Sequence, residues 1–74
     1  MKEMEQLRKN VRFERERQEL SRIELAKRAD LSQFTIIDVE LGRASDDIKL
    51  STLLKIAKGL NVTVHDLLKG ISLT

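Results

Sequence analysis

Cysteine, proline, tryptophan and tyrosine are absent from this 74-residue chain, and phenylalanine occurs only twice. Without cysteine there is neither a disulfide nor a thiolate metal site, and the lack fits a reducing compartment. Without proline, and with three glycines among abundant Leu, Ile, Ala, Lys, Arg and Glu, the composition predicts an all-α chain. No apolar run approaches the roughly 20 residues needed to span a bilayer, and the charged start from Met1 to Glu5 lacks the apolar core of a signal peptide, so the expected location is cytoplasmic. A marked charge of one sign is also missing. Fourteen basic against 12 acidic residues leave +2, too little to argue for a polyanionic partner. Residues 1–30 (nine basic, seven acidic) and 51–74 (three and one) each net +2, whereas 31–50 (two and four) nets −2. The length allows one domain, residues 1–74, burying only about 60% of the unfolded chain's surface, and so small a core gains from dimerisation.

What is present is a pattern of helix starts. Ser21 can cap a helix while Glu24, three residues on, reaches back to its amide, and Leu20 and Leu25 stand where a hydrophobic staple joins them. Ser32 repeats the cap, with Leu31 and Ile36 as its staple, and Gly42 closes that helix. The spacing therefore predicts helices over about 22–29 and 33–41, joined around Asp30. Helices joined so tightly cannot continue as one rod; they cross steeply, and the second is pushed outward, where it can enter a DNA groove.

Around this pair, a first helix is predicted over about 3–18, with Met4, Leu7 and Val11 on one stripe and Phe13 at its margin. Arg12 with Glu16, and Arg15 with Glu19, are spaced as surface pairs. Ile23, Leu25, Ala26 and Ala29 supply the inner face of the second helix; Ile36 and Val39 supply that of the third. A polar loop over 43–49 leads to a fourth helix over about 51–60, burying Leu53, Leu54, Ile56, Ala57 and Leu60, with Asn61 as a left-handed stop. A fifth starts at Thr63, answered by Asp66 and stapled by Val62 and Leu67, and runs to Gly70.

The segment LSRIELAKRADLSQ from Leu20 to Gln33, then Ile36, VELG from Val39 to Gly42, LLKIAK from Leu53 to Lys58, and DLL from Asp66 to Leu68 together resemble the Cro/C1-type (XRE) helix-turn-helix family. The match covers about residues 5–69, leaving a tail at 70–74. The resemblance implies a compact five-helix, lambda-repressor-like bundle that binds double-stranded operator DNA as a homodimer, acting as a transcriptional regulator, a repressor or autoregulator. It implies no cofactor, metal or small-molecule ligand.

In that family the third helix enters the major groove and the start of the second meets the phosphate backbone. Carried over residue by residue, Gln33, Phe34, Ile37 and Asp38 fall at base-contacting positions, and Arg22, Ser32, Thr35 and Arg43 at backbone-contacting ones. Arg15 and Glu40 match a structural ion pair. The chain departs from the family pattern at Glu14, where an apolar residue is usual, at Asp30 in place of a turn glycine, in a loop after Gly42 that is two residues longer, and in the third helix itself. There Gln33 suits adenine, Phe34 and Ile37 suit thymine methyls, and Asp38 suits a cytosine amine. The stripe Phe34, Ile37 and Leu41 also permits the alternative of a protein-binding derivative of the fold. Val64, Leu68, Ile71 and Leu73 are expected to be exposed and to form the dimer interface. No enzyme is expected: His65 is the sole histidine and reads as surface, and Asp46 with Asp47 reads as loop solvation, having no third carboxylate in register.

Overall fold

In the computed structural model the described residues are 2–42 and 48–71, the Lys2 side chain excepted. Among them the regular structure is entirely helical: α1 (Lys2–Arg17), α2 (Arg22–Ala29), α3 (Gln33–Leu41), α4 (Leu50–Leu60) and α5 (Val64–Leu67).

Three of the junctions share one local design. Glu19, Asp30 and Asn61 each take a left-handed conformation with φ of 56°. The next residue then donates its amide to a carbonyl five residues back, Leu20 to Arg15 at 3.1 Å, Leu31 to Ala26 at 2.9 Å and Val62 to Ala57 at 3.0 Å, satisfying the last open carbonyls of the helix just ended. A hydroxyl follows at once. Ser21 and Thr63 each form a reciprocal capping box, with Glu24 and Asp66, whereas Ser32 Oγ accepts from the Thr35 amide. The apolar residue between the two signals therefore ends one helix and staples the next, and a connection this short forces the steep crossing between α2 and α3.

The core is one cluster in which Val11 of α1, Leu25 of α2, Ile36 of α3, Ile56 and Leu60 of α4 and Leu67 of α5 are fully buried. The most extensive helix contact is between α2 and α4. Gly59 explains its closeness: a Cβ there would lie 3.0 Å from both the Cβ and the backbone nitrogen of Ala29. Two polar side chains tie the long first helix to its neighbours. Asn10 donates to the carbonyls of Leu67 and Lys69, both at 2.8 Å, and Gln18 donates to that of Leu60 at 2.7 Å.

Several expectations are corrected. The inner face of α2 is completed by Leu25, Ala26 and Ala29, and Ile23, two positions before that stripe begins, points to solvent at 51% exposure. In α4 the positions 53, 56, 57 and 60 fill the core-facing stripe, so Leu54 is exposed and forms a ridge with Leu50, four residues earlier. The fifth helix is a single turn ending at Leu67 instead of running to Gly70. Val64, Leu68 and Ile71 are not exposed; they are half-buried and pack on the chain's own core, because residues 68–71 turn back against α1, where Asn10 holds the Leu67 and Lys69 carbonyls, and the Ile71 amide donates to the Leu68 carbonyl at 3.1 Å. Arg15 does not pair with Glu19, because its three guanidinium nitrogens are taken up by Glu40 and the Leu20 carbonyl. Arg43, Asp46, Asp47 and Leu73 lie outside the described residues.

Candidate nucleic-acid interface

The third helix has two chemically opposite faces. Ile36, Val39 and Glu40 are buried, and at its start Gln33 and Phe34 are exposed, Phe34 at 67%. Ile37 and Asp38 follow one turn on, half-buried, and Leu41 ends the outer stripe at 47% exposure. The Phe34 ring, left two-thirds in water, makes little contribution to the core. Ser32 and Thr35 border this surface. Their hydroxyls are 3.0 Å apart, and Ser32 Oγ accepts the Thr35 amide at 3.2 Å, which closes the helix start and leaves the Ser32 side chain at the surface.

Beneath the helix lies an ionic cluster. The Glu40 side chain is fully buried, and a carboxylate so placed must be both charge-paired and hydrogen-bonded. Arg15 supplies a two-point contact, Nε to Oε2 at 2.7 Å and Nη2 to Oε1 at 3.0 Å, and its remaining nitrogen donates to the Leu20 carbonyl at 2.8 Å. The hydrogen bonds to Glu40 raise the Arg15 pKa further above its already high ordinary value, although burial opposes them. One side chain thus fastens the end of α1, the turn into α2 and the last turn of α3. Arg22, the first residue of α2, adds a third contact, with Nε donating to Glu40 Oε1 at 3.1 Å. Among the described residues no buried side-chain polar atom is left without a partner.

The structure therefore brings Arg15, Arg22 and Glu40 together, and it sets Ser32, Gln33, Phe34, Thr35, Ile37 and Asp38 along one side of α3 and its cap. Val64, Leu68 and Ile71 belong to a different part of the molecule, with α5 and the tail. Sequence reading places Arg22 at the backbone-contacting start of α2 but misses its bond to Glu40. Eighteen residues separate the two, and no periodicity links them. No cluster of His, Asp or Glu capable of holding a metal ion occurs among the described residues, and no described helix is long and apolar enough to cross a membrane.

A short helix braced from behind, joined through a three-residue turn to a second helix that presents polar and apolar groups outward, defines a helix-turn-helix DNA-binding protein. Comparison with known proteins agrees. The helix-turn-helix family model matches residues 11–67, and the chain belongs to that Cro/C1-type family of DNA-binding transcription regulators. Among solved structures it is similar to the crystal structure of a hypothetical transcription factor, NHTF, from Neisseria, with a TM-score of 0.80 and 32% identity over 89% of this chain and 74% of that one. No curated protein matches the chain significantly.

Proposed function

We propose that the protein is a homodimeric repressor that occupies a pseudo-palindromic operator in the cytoplasm. The observation that carries this reading is the outer face of α3, where Gln33 and Phe34 stand exposed in the first turn of a helix whose other face is braced by the buried Glu40. In a dimer, two such helices enter successive major grooves about 34 Å apart. Gln33 reads adenine through N6 and N7; Phe34 and Ile37 meet thymine methyls; Asp38 accepts from a cytosine amine. Arg22, Ser32, Thr35 and Arg43 hold the phosphate backbone on either side. Repression follows from occupying a promoter.

Dimerisation is assigned to α5 and the tail, using the parts of Val64, Leu68 and Ile71 that the monomer leaves uncovered, together with Leu73. Sedimentation at high micromolar concentration tests it: a dimer is expected without DNA, and a monomer there would count against the assignment. Selection of duplexes from a random pool tests the reading itself. The recovered site should be two-fold symmetric, and Gln33→Ala should relax preference at one position per half-site. A second reading, that α3 binds protein, is favoured by the exposure of Phe34 and Leu41 on one stripe. It predicts an affinity nearly insensitive to salt, whereas DNA binding weakens steeply as added salt reduces the gain from counterion release.

A further inference from the structure

We propose that Glu40 is a positioning residue for DNA binding, holding Arg22 so that one guanidinium bridges the buried carboxylate of α3 and a backbone phosphate at the start of α2. The inference rests on the DNA-binding reading. Glu40 is already neutralised by the two-point contact from Arg15, so a second guanidinium is not needed to bury it. Arg22 nevertheless contributes one, leaving a cluster of two arginines and one carboxylate with a net charge of +1.

The surplus charge sits on the member nearest the surface. The Arg22 side chain is 36% exposed, against 11% for Arg15 and 0% for Glu40. Only its Nε is committed, at 3.1 Å from Glu40 Oε1, and among the described residues both Nη groups have no acceptor. One Nη–H lies beside Nε on the same edge, as in the Arg15 contact, whereas the donors on the other edges of the planar fork point away from Glu40. Glu24, the nearest carboxylate in sequence, accepts the Ser21 amide through Oε1 at 2.9 Å and makes no ion pair with Arg22 among the described residues. Arg22 also opens α2, where the positive end of the helix and its open amides favour an anion. The series Arg15, Glu40, Arg22, phosphate then alternates in charge. It makes one carboxylate set both the seat of the recognition helix and the aim of the backbone contact.

The test uses a duplex recovered by selection with the wild-type protein, in which each phosphate in turn is replaced by a neutral methylphosphonate. Wild type should lose about tenfold or more in affinity at one position per half-site, the loss expected for a charged hydrogen bond. Arg22→Ala should be insensitive at that same position, and Glu40→Gln should share the insensitivity. In both variants the salt slope should become shallower by about 0.9 for each phosphate no longer held. A purely structural Glu40 would weaken binding evenly and leave the Arg22 position as sensitive as in wild type, which would overturn the proposal. Should Glu40→Gln fail to fold, the Arg22 Nε–H proton resonance of the wild-type protein, assigned by its loss in Arg22→Lys, decides. Continued protection in the DNA complex supports the bridge, and loss of protection on binding means that Arg22 leaves Glu40 for the phosphate and overturns it. A wild-type protein that recovers no duplex at low salt would overturn the DNA reading itself, a distinct outcome.

Discussion

The two faces of α3 differ in what holds them. On the inner face, Ile36 and Val39 pack in the core and Glu40 accepts three hydrogen bonds from two arginines, so each group is specified by its neighbours. On the outer face, Gln33 and Phe34 are exposed and lie outside the core, so the fold constrains them little. On the proposed reading, stability and recognition reside on opposite sides of the same nine residues, and substitutions should separate them.

The largest effect on the inner side should come from Arg15→Met. It leaves a fully buried carboxylate with only the partly exposed Arg22, at a cost of roughly 3–5 kcal/mol to be read by denaturant unfolding. A change below about 1 kcal/mol would show that Arg22 or water compensates. Arg22→Ala should cost less than about 1 kcal/mol in stability, because its side chain remains partly in water, while still weakening DNA binding. Next comes Gly59→Ala. The new methyl would press on the Ala29 backbone at 3.0 Å, and the overpacking, typically about 1–3 kcal/mol, should outweigh the better helix propensity of alanine. A gain in thermal midpoint would show instead that α2 and α4 can separate freely.

On the outer side, Phe34→Ala should change stability by less than about 0.5 kcal/mol yet alter the selected site at the thymine positions. A large loss of stability would move Phe34 from the reading surface into the scaffold. At the turn between the two helices, Asp30→Gly should stabilise by about 0.5–1 kcal/mol, since glycine takes the left-handed conformation without the strain of a side chain.

Acid should reveal the caps. The Ser21 amide and hydroxyl hold the Glu24 carboxyl below its ordinary value, and those of Thr63 do the same for Asp66. Because the folded-state values are depressed, their stabilisation is complete above the ordinary carboxylate range near about pH 4 and fades as pH falls through the lower folded values. The thermal midpoint of Glu24→Gln should therefore approach that of wild type in acid, and an unchanged gap would remove the Glu24 charge as a cause.

The scaffold is legible in the sequence because its signals are local. Ser21 with Glu24, Ser32, and Thr63 with Asp66 announce three helix starts, and Asn61 announces a stop, each through residues within a few positions of one another. Errors arise where a local rule meets a non-local competitor. Leu54 and Ile23 are apolar and close to a helical stripe, but the stripes are already filled. Local pattern leaves Val64, Leu68 and Ile71 uncovered because their cover comes from distant parts of the chain, as the contact of Asn10 with the Leu67 carbonyl, 57 residues away, illustrates. Gly59 gives no signal of its own, since its role depends on the approach of Ala29 from another helix. The proposed reading surface is visible as residue types at positions in a family pattern, while the bond between Arg22 and Glu40 requires the fold.

DNA docking through α2 and α3 is tested most directly by how binding of a selected duplex responds to salt. A plot of log affinity against log salt should be linear with a slope near −0.9 for each phosphate contacted, and Arg22→Ala should make it shallower by about one such unit per half-site. A slope near zero, with no two-fold symmetric sequence recovered, would contradict it and leave the outer face of α3 as a protein-binding surface.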